Sequence, residues 1–141
     1  MHFSQVTYRS APVWAWLLLA CVGCGQDPNA GRASVVIDVD DSNFSELVLE
    51  SELPVLVDYY ATWCGPCHAL APTIDQVAWK HEGTAVVARV DVDIARQAAV
   101  NAQANSIPLL VVYKDGKEVG RLVGVVSMGE IETLLASASS S

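Results

Sequence analysis

Five residues, Trp63-Cys64-Gly65-Pro66-Cys67, restrict this chain more than any others. They follow an apolar run, Val55-Leu56-Val57-Asp58-Tyr59-Tyr60, and lead into a helical pattern from Pro66 to about Lys80. The two cysteines therefore stand where a strand gives way to a helix. The first turn of a helix leaves N–H groups without partners and carries the positive end of the helix dipole. A thiolate there is stabilised, and thiol pKa values at such sites fall by about one to five units from about 8.5. Pro66 suits the helix start, because its φ is preset and its missing N–H is not needed there. Cys64 is then expected near the N-cap, exposed, as the attacking thiolate. Cys67 falls one turn further in, as the thiol that resolves a mixed disulfide.

Cys21-Val22-Gly23-Cys24 is a second pair at the same spacing, so a four-cysteine zinc site is formally possible. The 39 residues from 25 to 63 separate the pairs, against about 15–20 in compact zinc ribbons. The first pair also lies within an apolar segment. A redox-active Cys64–Cys67 pair is the reading adopted over zinc or an inert bridge, and no metal is assigned.

The stretch Val55 to Pro72 closely resembles thioredoxin. The resemblance continues through Ala88-Arg89-Val90-Asp91-Val92-Asp93, Ser106-Ile107-Pro108, Tyr113-Lys114-Asp115-Gly116-Lys117 and Val123-Gly124, and spans about residues 34 to 138. It implies the thioredoxin fold, an α/β domain with a mixed central sheet and helices on both faces. It implies that Pro108 follows a cis peptide bond beside the cysteines, against a base rate of about 5–6% for X–Pro bonds. It implies a client groove lined by Trp63, Gly65, Pro66, Ile107, Pro108 and Gly124, with Ile107 offering strand-like hydrogen bonds to an extended segment. Leu109 stands where the family commonly has threonine, which makes that groove more apolar. Arg89 and His68 stand where thioredoxins often carry lysine.

Asp58 interrupts the apolar run. A carboxylate in a buried strand is costly unless paired or neutral, so its pKa should rise. The resemblance makes it the proton acceptor for Cys67 when that thiol attacks. A protonated His68 near Cys64 would tune the thiolate modestly.

The formal charge is −8, and only Arg9 is charged before residue 25, so the remainder carries −9. That balance argues against a nucleic-acid partner, which needs basic patches. It argues equally against electrostatic attachment to anionic lipid.

Met1 to Cys24 reads as an export signal. Ala11 to Val22 is apolar for about 12 residues, the length of a signal-peptide core and short of the roughly 20 that span a bilayer. Leu18-Leu19-Ala20-Cys21 resembles a bacterial lipoprotein signal, which makes Cys21 the expected lipidation site and Cys24 its alternative. Such proteins carry several acyl chains, and each buried methylene contributes about 0.8 kcal/mol, so stable tethering is expected. Residues 25–33 read as a flexible tether and residues 139–141 as a frayed tail.

Within the domain, the pattern predicts a strand over Val35–Val39 and a short helix over Phe44–Leu49 capped by Asp41 or Ser42. Strands follow at Val55–Tyr60, Ala85–Val92, Leu109–Tyr113 and Glu118–Val123. Helices are predicted over Pro66–Lys80, kinked at Pro72 and ended by Gly83, over Ile94–Ala104, and over Met128–Ala136 capped by Ser127. Asp115-Gly116 marks a hairpin.

The expected function is reduction of protein disulfides outside the cytoplasm. The chain would be a monomer on the periplasmic side of a bacterial membrane, with no organic cofactor. Its partners would be disulfide-bearing clients and, for a reductant, a membrane electron donor. A thiol oxidase or isomerase is the alternative within the class. A tethered module that binds through the groove without turnover is the alternative outside it.

Overall fold

Val55–Tyr60 forms a strand, β2, whose first five residues are all buried. Cover on both faces accounts for its near-continuous apolar sequence. In this computed structural model, which describes residues 32–139, β2 is the middle strand of a five-stranded sheet. The others are β1 (Ile37–Asp38), β3 (Val86–Asp91), β4 (Leu109–Lys114) and β5 (Lys117–Val123), in spatial order β1-β3-β2-β4-β5. Strands β1 and β2 run parallel to β3, and β4 runs antiparallel to both β2 and β5. Residues 1–31 fall outside the described residues, and with them the expected export signal, Cys21, Cys24 and most of the tether.

Helices α1 (Gly65–Lys80) and α3 (Met128–Ser139) cover one face of the sheet. Leu70, Ile74, Val77, Ile131 and Leu135 pack there on Leu56, Val87, Leu110 and Val112. The opposite face carries α2 (Arg96–Asn101) and a short π-helical segment, Ser45–Leu49. There Val48, Ala98 and Ala102 pack with Val55, Val57, Tyr59, Ala88 and Val90. Each large apolar side chain so buried contributes about 1.5–3 kcal/mol. Alternation along β2 thus sorts its side chains: Val55, Val57 and Tyr59 face α2, while Leu56 and Asp58 face α1 and α3.

Several elements match the expected spans within a residue. Asp115 and Gly116 both have positive φ, 51° and 73°, which is the hairpin turn that Asp-Gly favours. Ser127 and Glu130 form a reciprocal cap: the Ser127 N–H donates to Glu130 Oε2 at 2.8 Å, and the Glu130 N–H to Ser127 Oγ at 3.4 Å. Helix α1 is assigned without a break through Pro72, which lies on its exposed side, and ends at Lys80; Gly83 (φ +81°) belongs to the turn beyond.

Other expectations are corrected. Strand β1 has two residues rather than five, because only Ile37 and Asp38 pair with β3, while Val35 and Val36 pack against the α1–α3 cluster instead. Helix α2 has six residues rather than eleven, and α3 extends through Ser139. The segment after Phe44 is π-helical, closed by the Glu50 N–H donating to the Ser45 carbonyl at 2.9 Å, and no side chain caps it. Asp41 instead caps α2. Its two carboxylate oxygens accept from the N–H groups of Gln97 (3.1 Å) and Ala98 (2.8 Å). Local periodicity could not reveal a cap that lies in a different part of the chain. Asp41→Ala is therefore expected to lower stability by about 1 kcal/mol, a Tm drop of about 4–8 °C, in thermal unfolding followed by circular dichroism. Ser42→Ala, at the other candidate cap, should shift it by less than half as much.

Candidate active site

The end of β2 and the start of α1 place the two cysteines side by side. Cys64 is the N-cap of α1 in an extended conformation (φ −84°, ψ 103°), and Cys67 lies one turn further in. They form a disulfide with sulfurs 2.13 Å apart and Cα atoms 5.3 Å apart. The Cys67 N–H donates to Cys64 Sγ at 3.2 Å. One of the orphan donors of the helix start is thus aimed at the sulfur that a reduced Cys64 would expose as thiolate.

Cys64 is only 4% exposed, which corrects the expectation of an open thiol. Its sulfur turns back toward Cys67, and the pair packs with Ala61 and half-buried Ile107. Ile107 is remote in sequence, so no local pattern could show this cover.

Of the expected groove residues, Trp63, Gly65 and Pro66 adjoin the disulfide along the chain and Ile107 packs against it. Trp63 is 70% exposed, and Gly65 and Pro66 are exposed beside it. The Ile107–Pro108 bond is cis. The Pro108 carbonyl accepts from the Gly124 N–H at 2.8 Å, which ties the turn after β5 to the start of β4. Gly124 serves there through its φ of +88°, a conformation that other residues rarely adopt. No described atom of the protein lies within 4 Å of where its Cβ would be, so that side of the glycine is open. Exposed Val123 and Val125 flank it.

Asp58 is 2% exposed on the face that α1 covers, the same face into which α1 turns Cys67. Burial pushes its pKa up from 3.8 to about 6, and the neighbouring Arg89 guanidinium offsets part of that rise. Arg89 Nε lies 3.6 Å from Asp58 Oδ2, an ion pair just beyond hydrogen-bond length. The register explains the meeting, since Asp58 and Arg89 are direct partners across β2 and β3. The guanidinium also stacks over Tyr60, 5.2 Å from its ring centre, a cation–π contact. A cavity of about 270 Å³, lined by Asp38, Tyr60, Arg89 and Asp91 among others, brings solvent to this group. Asp58 Oδ1 has no hydrogen-bond partner within the protein.

Two contacts at the site had no sequence signal. Trp63 Nε1–H donates to Asp93 Oδ2 at 2.8 Å, from the loop after β3. His68, exposed on the first turn of α1, meets the Thr62 carbonyl through Nε2 at 2.8 Å. Among the described residues, no group of three or more His, Cys, Asp or Glu side chains is placed to hold a metal ion, and no helix is long and apolar enough to cross a membrane.

Comparison with known proteins agrees with this geometry. The family model for thioredoxin matches residues 35–137. A thioredoxin of Mycobacterium tuberculosis is 46% identical over 91 residues, covering 64% of this chain and 78% of that protein. A thioredoxin of Synechocystis is 41% identical over 104 residues, covering 74% and 94%. Thioredoxin 1 of Nostoc is 43% identical over 93 residues, covering 66% and 87%. With a disulfide across Cys64-Gly65-Pro66-Cys67 at the start of α1, the chain belongs to the thioredoxin family and is a thioredoxin-type thiol–disulfide oxidoreductase.

Proposed function

We propose that this protein reduces disulfides of client proteins outside the cytoplasm, held to a bacterial membrane by an N-terminal lipid. The observation that carries the chemistry is the Cys64–Cys67 disulfide at the N-terminus of α1, packed against Ile107.

In the reduced protein, the Cys64 thiolate attacks one sulfur of a client disulfide. A mixed disulfide forms and the client's other sulfur leaves as a thiolate. Cys67 then gives its proton to the Asp58 carboxylate and attacks Cys64 Sγ. The client's second sulfur is released, two electrons have passed to the client, and the Cys64–Cys67 disulfide remains. Asp58 suits this role because its pKa of about 6 leaves it ionised, yet a ready base, at neutral pH. Trp63, Gly65, Pro66, Ile107, Pro108 and Gly124 hold the client segment.

Export and anchoring rest on the sequence of Met1–Cys24, with Cys21 as the lipidated residue and Cys24 as its alternative. An exported reductase needs its disulfide reopened from outside the cytosol, so a membrane electron donor completes the cycle. The domain works as a monomer without organic cofactor or metal, and its acidic balance gives nucleic acid no purchase.

Four outcomes test this reading. Cys67→Ser should accumulate mixed disulfides through Cys64 with a disulfide-bonded client, seen as adducts on non-reducing gels; their absence would remove the assigned order of attack. With Cys67 intact, Asp58→Asn should slow resolution of the client mixed disulfide about tenfold or more at pH 7 and abolish the rise in that rate between about pH 5 and 7. The same variant should be the more stable protein at pH 7.5, by about 1–3 kcal/mol in denaturant unfolding. The sign follows from the raised pKa. Folding favours the protonated acid, so the wild-type benefit is complete below about pH 3.8 and disappears as pH rises through about 6. Labelled palmitate fed to expressing bacteria should enter the wild-type and Cys24→Ser proteins and not Cys21→Ser; label in wild type and Cys21→Ser but not in Cys24→Ser would move the anchor to Cys24.

A further inference from the structure

We propose that His68 is a positioning residue for client binding, a clamp that fixes the loop carrying Trp63 and Cys64 onto the first turn of α1. The inference builds on the thiol–disulfide exchange assigned to Cys64 and Cys67.

In the loop Ala61–Cys64 the end residues Ala61 and Cys64 are buried, while Thr62 and Trp63 between them are exposed. The Cys64 N–H closes a turn on the Ala61 carbonyl at 3.1 Å, and the Trp63 indole is tied to Asp93 at 2.8 Å. Between these points the Thr62 carbonyl, on an exposed residue, faces His68 Nε2 at 2.8 Å. A carbonyl only accepts, so Nε2 must carry the proton. The neutral Nε2–H tautomer and the imidazolium both meet that requirement. The clamp therefore needs a donor at this place, not a charge.

This bond spans the site. It runs from the helix that carries Cys67 to the residue just before Trp63. Trp63 is 70% exposed, and its indole N–H donates to Asp93. Loosening Thr62 would leave this part of the groove wall to be ordered at each encounter, a cost met on binding a large client. A small disulfide that needs only the Cys64 sulfur would not meet it.

The experiment compares the purified wild-type chain with His68→Leu and His68→Gln. Gln keeps an N–H donor of similar reach without the possibility of charge. Insulin serves as the protein client, dithiothreitol as the electron source, and 5,5′-dithiobis(2-nitrobenzoate) as the small disulfide. His68→Leu is expected to raise KM for insulin about three- to tenfold, the worth of one hydrogen bond, with kcat and the rate with the small disulfide little changed. His68→Gln is expected to restore KM to near the wild-type value. An unchanged KM in His68→Leu would overturn the proposal, as would a His68→Gln protein as impaired as His68→Leu. Equal losses toward insulin and the small disulfide would also overturn it, by moving the effect to Cys64 itself. Near-UV circular dichroism fixes the folded fraction of each variant beforehand, and His68→Ala replaces His68→Leu if the latter does not fold.

Discussion

Strand β2 lies in the middle of the sheet with a helical layer on each face, and the site depends on that enclosure. The strict alternation of a strand sends Val57 and Tyr59 to one side and Asp58 to the other. A carboxylate in that position is almost wholly removed from water, and this is what raises its pKa into the range of a useful base. The same strand runs out where α1 begins, so the helix start, with its unpaired donors, lies directly beyond the buried acid. A shift of one residue in the register of β2 would put Asp58 against α2 and Tyr59 against α1. The apolar packing of Val55, Val57 and Tyr59 against the α2 side holds the register that the chemistry requires.

Arg89 enters through the same constraint. Parallel pairing of β2 and β3 puts it opposite Asp58, and its stacking on Tyr60 keeps the guanidinium over the strand end. An arginine does not give up its proton, so it acts on Asp58 as a fixed charge. Burial raises the affinity of Asp58 for a proton and Arg89 lowers it, and the balance sits near neutrality.

Much of this was legible in the residues. Val55–Tyr60 could be read to the residue because a strand covered on both faces has little choice of side chain. The start of α1 followed from Pro66 and from the stripe Leu70, Ile74 and Val77, and the hairpin from Asp115-Gly116. Other features depend on contacts between distant parts of the chain. The cap on α2 comes from Asp41 and the anchor of Trp63 from Asp93. Each of these is set by where two separate loops meet once the sheet has formed. Strand β1 was overread for a related reason: Val35 and Val36 are apolar because they pack beside α1, not because they pair.

The central claim is that Cys64 and Cys67 form a reversible couple that delivers electrons to protein disulfides. The most direct measurement is the reduction potential of the purified protein, equilibrated with dithiothreitol or glutathione buffers and read as the fraction of free thiols. The account predicts a two-electron couple below about −220 mV, at the reducing end of the thioredoxin-like range. A value of about −180 mV or higher would contradict it and make the protein an oxidant or isomerase. The absence of any reversible couple would leave only a binding role for the groove.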